Sequence, residues 1–189
     1  ELRTRERGLA LLTDDTVGRF VSDQLLTVDK RIDCAPALLA DSVQRAAALF
    51  AEMEAEPPDQ LRLITRRTRN TLNSALANVG KLKSRGAHTN PLWMHPEDAA
   101  SRGLVEGAVA HVHNDIGSLH AEVAFDDDLR PGVVSMTHGF GYANSPGMPT
   151  AQAHPGVNVN VLSASGPGTF DPISGMTQLT GIPVRVEPA

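Results

Sequence analysis

Short apolar segments separated by polar turns recur along the chain from residue 60 onward, and this pattern limits that part of the chain to a β-rich fold. The composition of Asn114–Gly117 is typical of a hairpin turn. His95–Gly103 predicts a short helix, because proline and acidic residues come first and glycine follows the last turn. The predicted strands are Leu61–Thr65, Pro91–His95, Ala108–His113, Ser118–Phe125, Val133–Thr137 and Ile182–Val186.

Residues 1–59 differ in composition from the rest of the chain, since they are charged and rich in alanine and leucine. Apolar residues recur near helical spacing over Ala37–Met53, with Pro36 before them and Pro57–Pro58 after, which predicts a helix. Cys34 has no neighbouring base that would activate its thiol. We therefore predict two parts: a linker and helical segment over residues 1–59, and a binding domain over residues 60–189.

The composition excludes several classes of protein. An apolar share of 41% is enough for a core, and an aromatic share of 4% means that Val, Leu, Ile and Ala must build it. A net charge of −5 argues against nucleic acid as a partner. The single cysteine excludes an intramolecular disulfide and fits a reducing compartment. We see neither a signal peptide nor an apolar run of about 20 residues, so we expect a cytoplasmic protein without a membrane span.

A dense cluster of hydrogen-bond donors follows the first predicted strand, within Leu63–Ser74. Arg66, Arg67 and Arg69 offer planar forks that match phosphate oxygens. Threonine, asparagine and serine side chains add neutral polar groups at short range. The residues alone leave two interpretations open, a phosphate-binding strand end and a solvated basic loop.

Residues 138–181 are rich in glycine and proline and show little periodicity, so we predict a long irregular loop. A loop of this length in a compact domain is uncommon unless it binds something. His138 stands at the end of a predicted strand, beside Gly139, and is a candidate ligand contact. The Gly139-Phe-Gly141 sequence is not a dinucleotide-binding Rossmann fingerprint, because a third glycine and a crossover helix are missing.

The histidines raise the possibility of a metal site and the serines that of a hydrolase site, but the sequence supports neither. His111 and His113 alternate on one predicted strand and so share a face, but no third ligand stands at a recognisable spacing. We therefore interpret them as surface residues. The serines of the long loop lack the strand–turn–helix elbow of a hydrolase.

Four passages in the same order resemble the C-terminal molybdopterin-dinucleotide-binding domain of the dimethyl-sulfoxide-reductase superfamily. Residues 24–50 also resemble the linker that leads into this domain. The resemblance covers about two-thirds of the chain and implies a double-psi β-barrel (aspartate-decarboxylase-like) preceded by a helical linker segment. The four passages are Leu63–Ser74, Asn90–Gly107, Leu129–Gly139 and Asp171–Glu187.

The resemblance further implies a cofactor, molybdopterin guanine dinucleotide with molybdenum or tungsten, and an iron–sulfur cluster in upstream domains of the same polypeptide. It implies no catalytic or metal-ligating residue in this chain, so we expect the isolated domain to be inactive. The cofactor-binding residues that it implies are Thr65, Arg66, Arg67, Asn73, Ser74, His88, Asn90, Met136, Thr137, His138, Gly139, Asn158 and Asn160.

The expected function is cofactor binding within an oxidoreductase similar to formate dehydrogenase or nitrate reductase. The substrate, the electron partner and the choice of metal stay open. A stand-alone double-psi barrel, acting as a small cofactor-binding subunit or as a protein-binding module, is the alternative. The sequence does not begin with methionine, which agrees with a piece of a longer chain. The reading frame upstream of Glu1 distinguishes these alternatives.

Overall fold

The computed structural model of the chain describes residues 23–68, 72–83, 89–171 and 174–189. The chain divides into two compact units, and the second begins at Ala55. The first unit contains one long helix, α1 (Ala37–Glu54), which confirms the helix predicted from the sequence. Across the described ranges, no helix is long and apolar enough to cross a membrane.

Within the described residues, the second unit contains six strands with short helices between them. Its helical elements are α2 (Gly80–Lys83), α3 (Pro96–Ser101), α4 (Pro149–Ala153) and a 3-10 turn at Val159–Leu162. Its strands are β1 (Leu61–Arg66), β2 (Leu92–Met94), β3 (Val109–His113), β4 (Ser118–Phe125), β5 (Val133–Thr137) and β6 (Ile182–Pro188).

The six strands close into a barrel in the order β1-β5-β2-β4-β3-β6. Two neighbouring pairs are parallel, β1 with β5 and β2 with β4, and the remaining pairs are antiparallel. The parallel partners are not consecutive in the chain, so closure requires residues far apart in sequence to pair. The fold is the expected double-psi β-barrel.

Alternation along the strands fills the barrel interior with aliphatic side chains. In β4, Leu119, Ala121 and Val123 are buried while the residues between them face outward. The core is aliphatic, as the low aromatic content predicts, with Met94 and Met136 as additional members. Strand pairing and this aliphatic core together hold the strand ends that carry the site.

The segment 138–181 contains more regular structure than the sequence predicts. α4 begins with Pro149 in its first turn, and Asn78 Oδ1 accepts hydrogen bonds from the main-chain N–H groups of Thr150 and Ala151. The carboxamide that caps this helix therefore comes from a distant part of the chain. The prediction of an irregular loop was wrong here, because tertiary contact rather than local periodicity stabilises the helix.

Candidate cofactor-binding site

The carboxyl ends of β1 and β5 lie side by side, because these strands are parallel and Arg66 is opposite Thr137 in the register. The next residue on each strand, Arg67 and His138, therefore emerges at the same edge of the barrel. Asn73 joins them: its Oδ1 atom lies 3.0 Å from Arg67 Nη1 and 2.9 Å from His138 Nε2. The sequence predicts all three as binding residues, and the structure brings them together.

Gly139 lets the two loops of this site approach each other. Its φ is +85°, and a Cβ atom built there would lie 2.2 Å from the main-chain oxygen of Asn73. Any side chain at this position would push the loops apart. The Tyr142 hydroxyl donates to the Gly139 carbonyl at 2.7 Å and contacts the Ser74 carbonyl at 3.3 Å. Burial raises the pKa of Tyr142, which favours the protonated, donating hydroxyl.

A cleft of about 450 Å³ opens beside these groups. Its polar wall includes an arginine, a histidine, two asparagines and two hydroxyl groups, and its apolar wall is formed by three aliphatic side chains. This combination suits a ligand with both an anionic and a ring-containing part. The lining residues are Thr65, Arg67, Asn73, His138, Val159, Asn160, Ser163, Leu179 and Ile182.

Asn90 does not line the cleft, but its side chain holds main-chain segments next to it. Its carboxamide is buried and forms three hydrogen bonds: Nδ2 donates to the carbonyls of Thr137 and Val157, at 2.8 and 2.9 Å, and Oδ1 accepts from Val157 N–H at 2.9 Å. Asn90 thus connects the end of β5 to the long segment that follows. Gly156 packs against it so closely that a Cβ atom would lie 2.4 Å from Asn90 Oδ1.

Other predicted residues stand apart from the cleft. Arg66 points away from Arg67, forms an ion pair with Asp126 at 2.9 Å and lies over the Trp93 ring at 5.0 Å. Arg66 is not among the residues that line the cleft, whereas Arg67 is, so the structure separates these two predicted residues.

Met136 and Thr137 are buried in the barrel and present no side-chain surface to the cleft. Asn158 is exposed and caps the 3-10 turn, where its side chain accepts from Asn160 N–H at 3.1 Å. The main-chain carbonyl of Ser74 accepts from Tyr142. His88 lies outside the described residues.

The sequence did not predict Ser163 and the aliphatic wall as cleft residues. These residues lie in or next to the 3-10 turn and at or just before the start of β6, so they belong to no local sequence motif that predicts a binding site. Lys83 does not line the cleft; it is buried with its ammonium group 5.0 Å from the centroid of the Phe140 ring, and burial lowers its pKa. Phe140 follows directly after the glycine that brings the loops together.

A barrel with a polar cleft at a parallel strand end is a scaffold for binding a ligand at its rim, and comparison with known proteins identifies the family. The chain belongs to the molydopterin dinucleotide binding domain family of the dimethyl-sulfoxide-reductase superfamily, whose family model matches residues 61–183.

Two proteins similar to this chain in sequence are reductases. The chain is 39% identical, over 79 residues, to dimethyl sulfoxide/trimethylamine N-oxide reductase of Rhodobacter capsulatus; the match covers 39% of this chain and 9% of that protein. It is 25% identical, over 137 residues, to a tetrathionate reductase chain of Salmonella typhimurium, covering 62% and 13% respectively. The chain spans 9% to 18% of the length of the curated relatives that it matches.

The fold is also similar to part of a solved enzyme structure. Acetylene hydratase from Pelobacter acetylenicus superposes with a TM-score of 0.58 at 19% identity, covering 85% of this chain and 22% of that one. At this identity the likeness concerns the fold. The chain thus corresponds to a small part of much larger relatives.

Proposed function

We propose that this chain is the C-terminal cofactor-binding domain of a larger molybdenum- or tungsten-dependent oxidoreductase. Its cleft beside Arg67 and His138 would hold the phosphate-bearing part of a molybdopterin guanine dinucleotide. The observation that carries the proposal is the convergence of Arg67, Asn73 and His138 at one strand end, within a cleft. Membership in the family supports the same ligand.

The donor set fits such a ligand. A guanidinium group matches the oxygens of a diphosphate, and the hydroxyl groups of Thr65 and Ser163 add neutral hydrogen bonds. The carboxamide of Asn160 offers both a donor and an acceptor, which suits the edge of a heterocycle. Gly139 gives main-chain groups access where a side chain would block the loops.

The protein would bind and orient the cofactor, and the cofactor would supply the redox chemistry. Arg67 would compensate phosphate charge, while the aliphatic wall would exclude water from the ring-containing part. We propose that the isolated chain has no turnover, and that iron–sulfur and metal-ligating residues lie elsewhere in the full-length protein. The relatives' greater length supports this division of labour.

The names of the relatives support a narrower substrate class. They refer to reduction of a sulfoxide, an N-oxide or tetrathionate. We therefore favour a reductase of small sulfur or N-oxide compounds over the formate dehydrogenase or nitrate reductase suggested by the sequence.

Titration calorimetry with guanosine diphosphate (GDP) tests the binding site, because GDP carries the diphosphate and guanine of the proposed ligand. We expect GDP to bind the 189-residue chain and Arg67→Gln to weaken binding by roughly tenfold or more, since a charge-assisted hydrogen bond contributes about 1.5–3 kcal/mol.

Arg66→Gln is the matched control, because Arg66 carries the same charge one residue earlier but is directed toward Asp126. It should leave GDP affinity unchanged. Equal losses in both variants, or a folded wild-type chain that does not bind GDP, would contradict the proposal. Guanosine without phosphate should bind more weakly than GDP.

A further inference from the structure

A second group of polar side chains lies on the outer face of the barrel, across β3 and β6. His111 and His113 share the outward face of β3, and Glu187 on β6 is opposite His111 in the antiparallel register. His111 and Glu187 are 76 positions apart in sequence. This distance explains why the histidine pair, taken alone, lacks a recognisable third ligand.

The three side chains present a convergent set of atoms. Glu187 Oε1 lies 3.0 Å from His111 Nδ1 and 3.5 Å from His113 Nε2. The two imidazole rings stack with centroids 4.7 Å apart and planes inclined by 15°. All three potential ligand atoms lie within 4.8 Å of one another. In the part of the chain that the structure describes, no other group of histidine, cysteine and carboxylate side chains is arranged in this way.

We propose that His111, His113 and Glu187 form a binding site for one Zn²⁺ ion. Two imidazole nitrogens and one carboxylate oxygen are a ligand set that Zn²⁺ accepts, with a fourth position left for water. Bonds of the usual length place tetrahedral ligand atoms about 3.3–3.6 Å apart, and the contacts of Glu187 are already close to this spacing. A modest rotation of the half-exposed rings would bring the remaining pair into range.

The surroundings favour a cation at this position. The carboxylate of Glu187 faces both imidazole rings and offers an oxygen ligand between them. Arg185 is opposite His113 in the register, but its Nε atom is directed to Asp59 at 3.3 Å. His120, opposite His111 on β4, stacks on the His111 ring with centroids 5.0 Å apart.

The proposed ion would connect β6, the last strand of the barrel, to β3. A metal that binds only the folded arrangement stabilises it by mass action. Zn²⁺ should therefore raise the thermal midpoint of the chain in a concentration-dependent manner. This effect is independent of the cofactor cleft and of any oxidoreductase activity.

Calorimetry with Zn²⁺ alone tests the site. The 189-residue chain should be used without an affinity tag and in a Cys34→Ser background, because the exposed thiol of Cys34 could bind zinc by itself. We expect one Zn²⁺ per chain. The variants His113→Asn and Glu187→Gln should each weaken binding by at least about tenfold and abolish the thermal shift. Both substitutions are on the barrel surface, and circular dichroism verifies that the variants fold.

His95→Asn is the matched control. His95 Nδ1 also lies near a carboxylate, 4.0 Å from Glu97 Oε2, and asparagine can replace it as the cap of α3. This variant should bind Zn²⁺ as the background protein does. Absence of Zn²⁺ binding, or binding that survives both ligand substitutions, would show that the three side chains form only a hydrogen-bonded cluster and would overturn the proposal.

Discussion

The two parallel strand pairs of the barrel end in different chemistry. After β1 and β5 come Arg67 and His138, which line a cleft with Asn73. We name this the open end. After β2 and β4 come His95 and Asp126, since Met94 is opposite Phe125 in the register. We name this the closed end.

Polar groups at the closed end are used within the fold. His95 caps α3 by accepting from Glu97 N–H at 3.2 Å. Asp126 accepts from Arg66 at 2.9 Å and from Asp128 N–H at 3.2 Å. At the open end the equivalent positions face a cleft. The topology supplies two similar strand ends, and local side-chain partners decide which of them leaves its polar groups facing a cleft.

Asn90→Ala should give the largest effect, because it removes the buried carboxamide behind the open end. Three hydrogen bonds are lost and main-chain groups of Thr137 and Val157 remain buried without them. We expect the free energy of unfolding to fall by about 3–5 kcal/mol. Denaturant titration measures it. Asn160 is an exposed asparagine at the same end, and Asn160→Ala should lower the free energy of unfolding by about 0.5 kcal/mol or less. Similar losses in the two variants would show that the hydrogen bonds of Asn90 do not stabilise the fold.

Gly139→Ala tests the close approach of the two loops. Gly132 is the matched control, because its φ of +90° is nearly that of Gly139, yet no atom lies within 4 Å of the position of its Cβ. Both substitutions incur the backbone cost of about 1–2 kcal/mol. Gly139→Ala should cost a further amount of about 1–3 kcal/mol, because its Cβ would overlap the Asn73 carbonyl. Equal destabilisation by denaturant titration would mean that the loops are not in contact.

The free energies of unfolding of Arg66→Ala and Arg67→Ala show which of the two arginines supports the fold. Arg66 loses a partly exposed ion pair and a contact with the face of Trp93, so we expect a loss of about 0.5–1.5 kcal/mol in the free energy of unfolding. Arg67 makes an exposed hydrogen bond, and its loss should change stability by less than about 0.5 kcal/mol. A larger effect for Arg67 would show that it supports the fold.

Tyr142→Phe should lower the free energy of unfolding by about 0.5–1.5 kcal/mol, because one hydrogen bond to Gly139 is lost. Burial raises the pKa of Tyr142 above its ordinary value of 10.0. Its contribution to stability is therefore complete below pH 10 and is lost as the pH rises through the folded pKa. Unfolding measured as a function of pH should show this alkaline loss in the wild type and a smaller one in the variant. Identical pH profiles of stability in the two proteins would show that Tyr142 does not cause the alkaline loss.

Much of the barrel could be predicted from sequence, because strand alternation and turn composition are local signals. The sequence predicts Arg67 from the cluster of phosphate-matching donors after the first strand, and His138 from its position at the end of another strand; parallel pairing brings the two together. Arg66 could not be separated from Arg67, since its partner Asp126 is 60 positions away. The site's aliphatic wall, like Glu187 beside the histidines, depends on strand order, which local sequence does not encode.

NMR of the folded chain during a GDP titration shows directly whether the ligand binds at the open end. Backbone amide resonances should be followed during a titration of the 189-residue chain. We predict that the largest changes occur at Arg67, Asn73 and His138, with little change at His95 and Asp126. Changes concentrated at the closed end, or spread evenly over the barrel, would contradict binding of GDP at the open end.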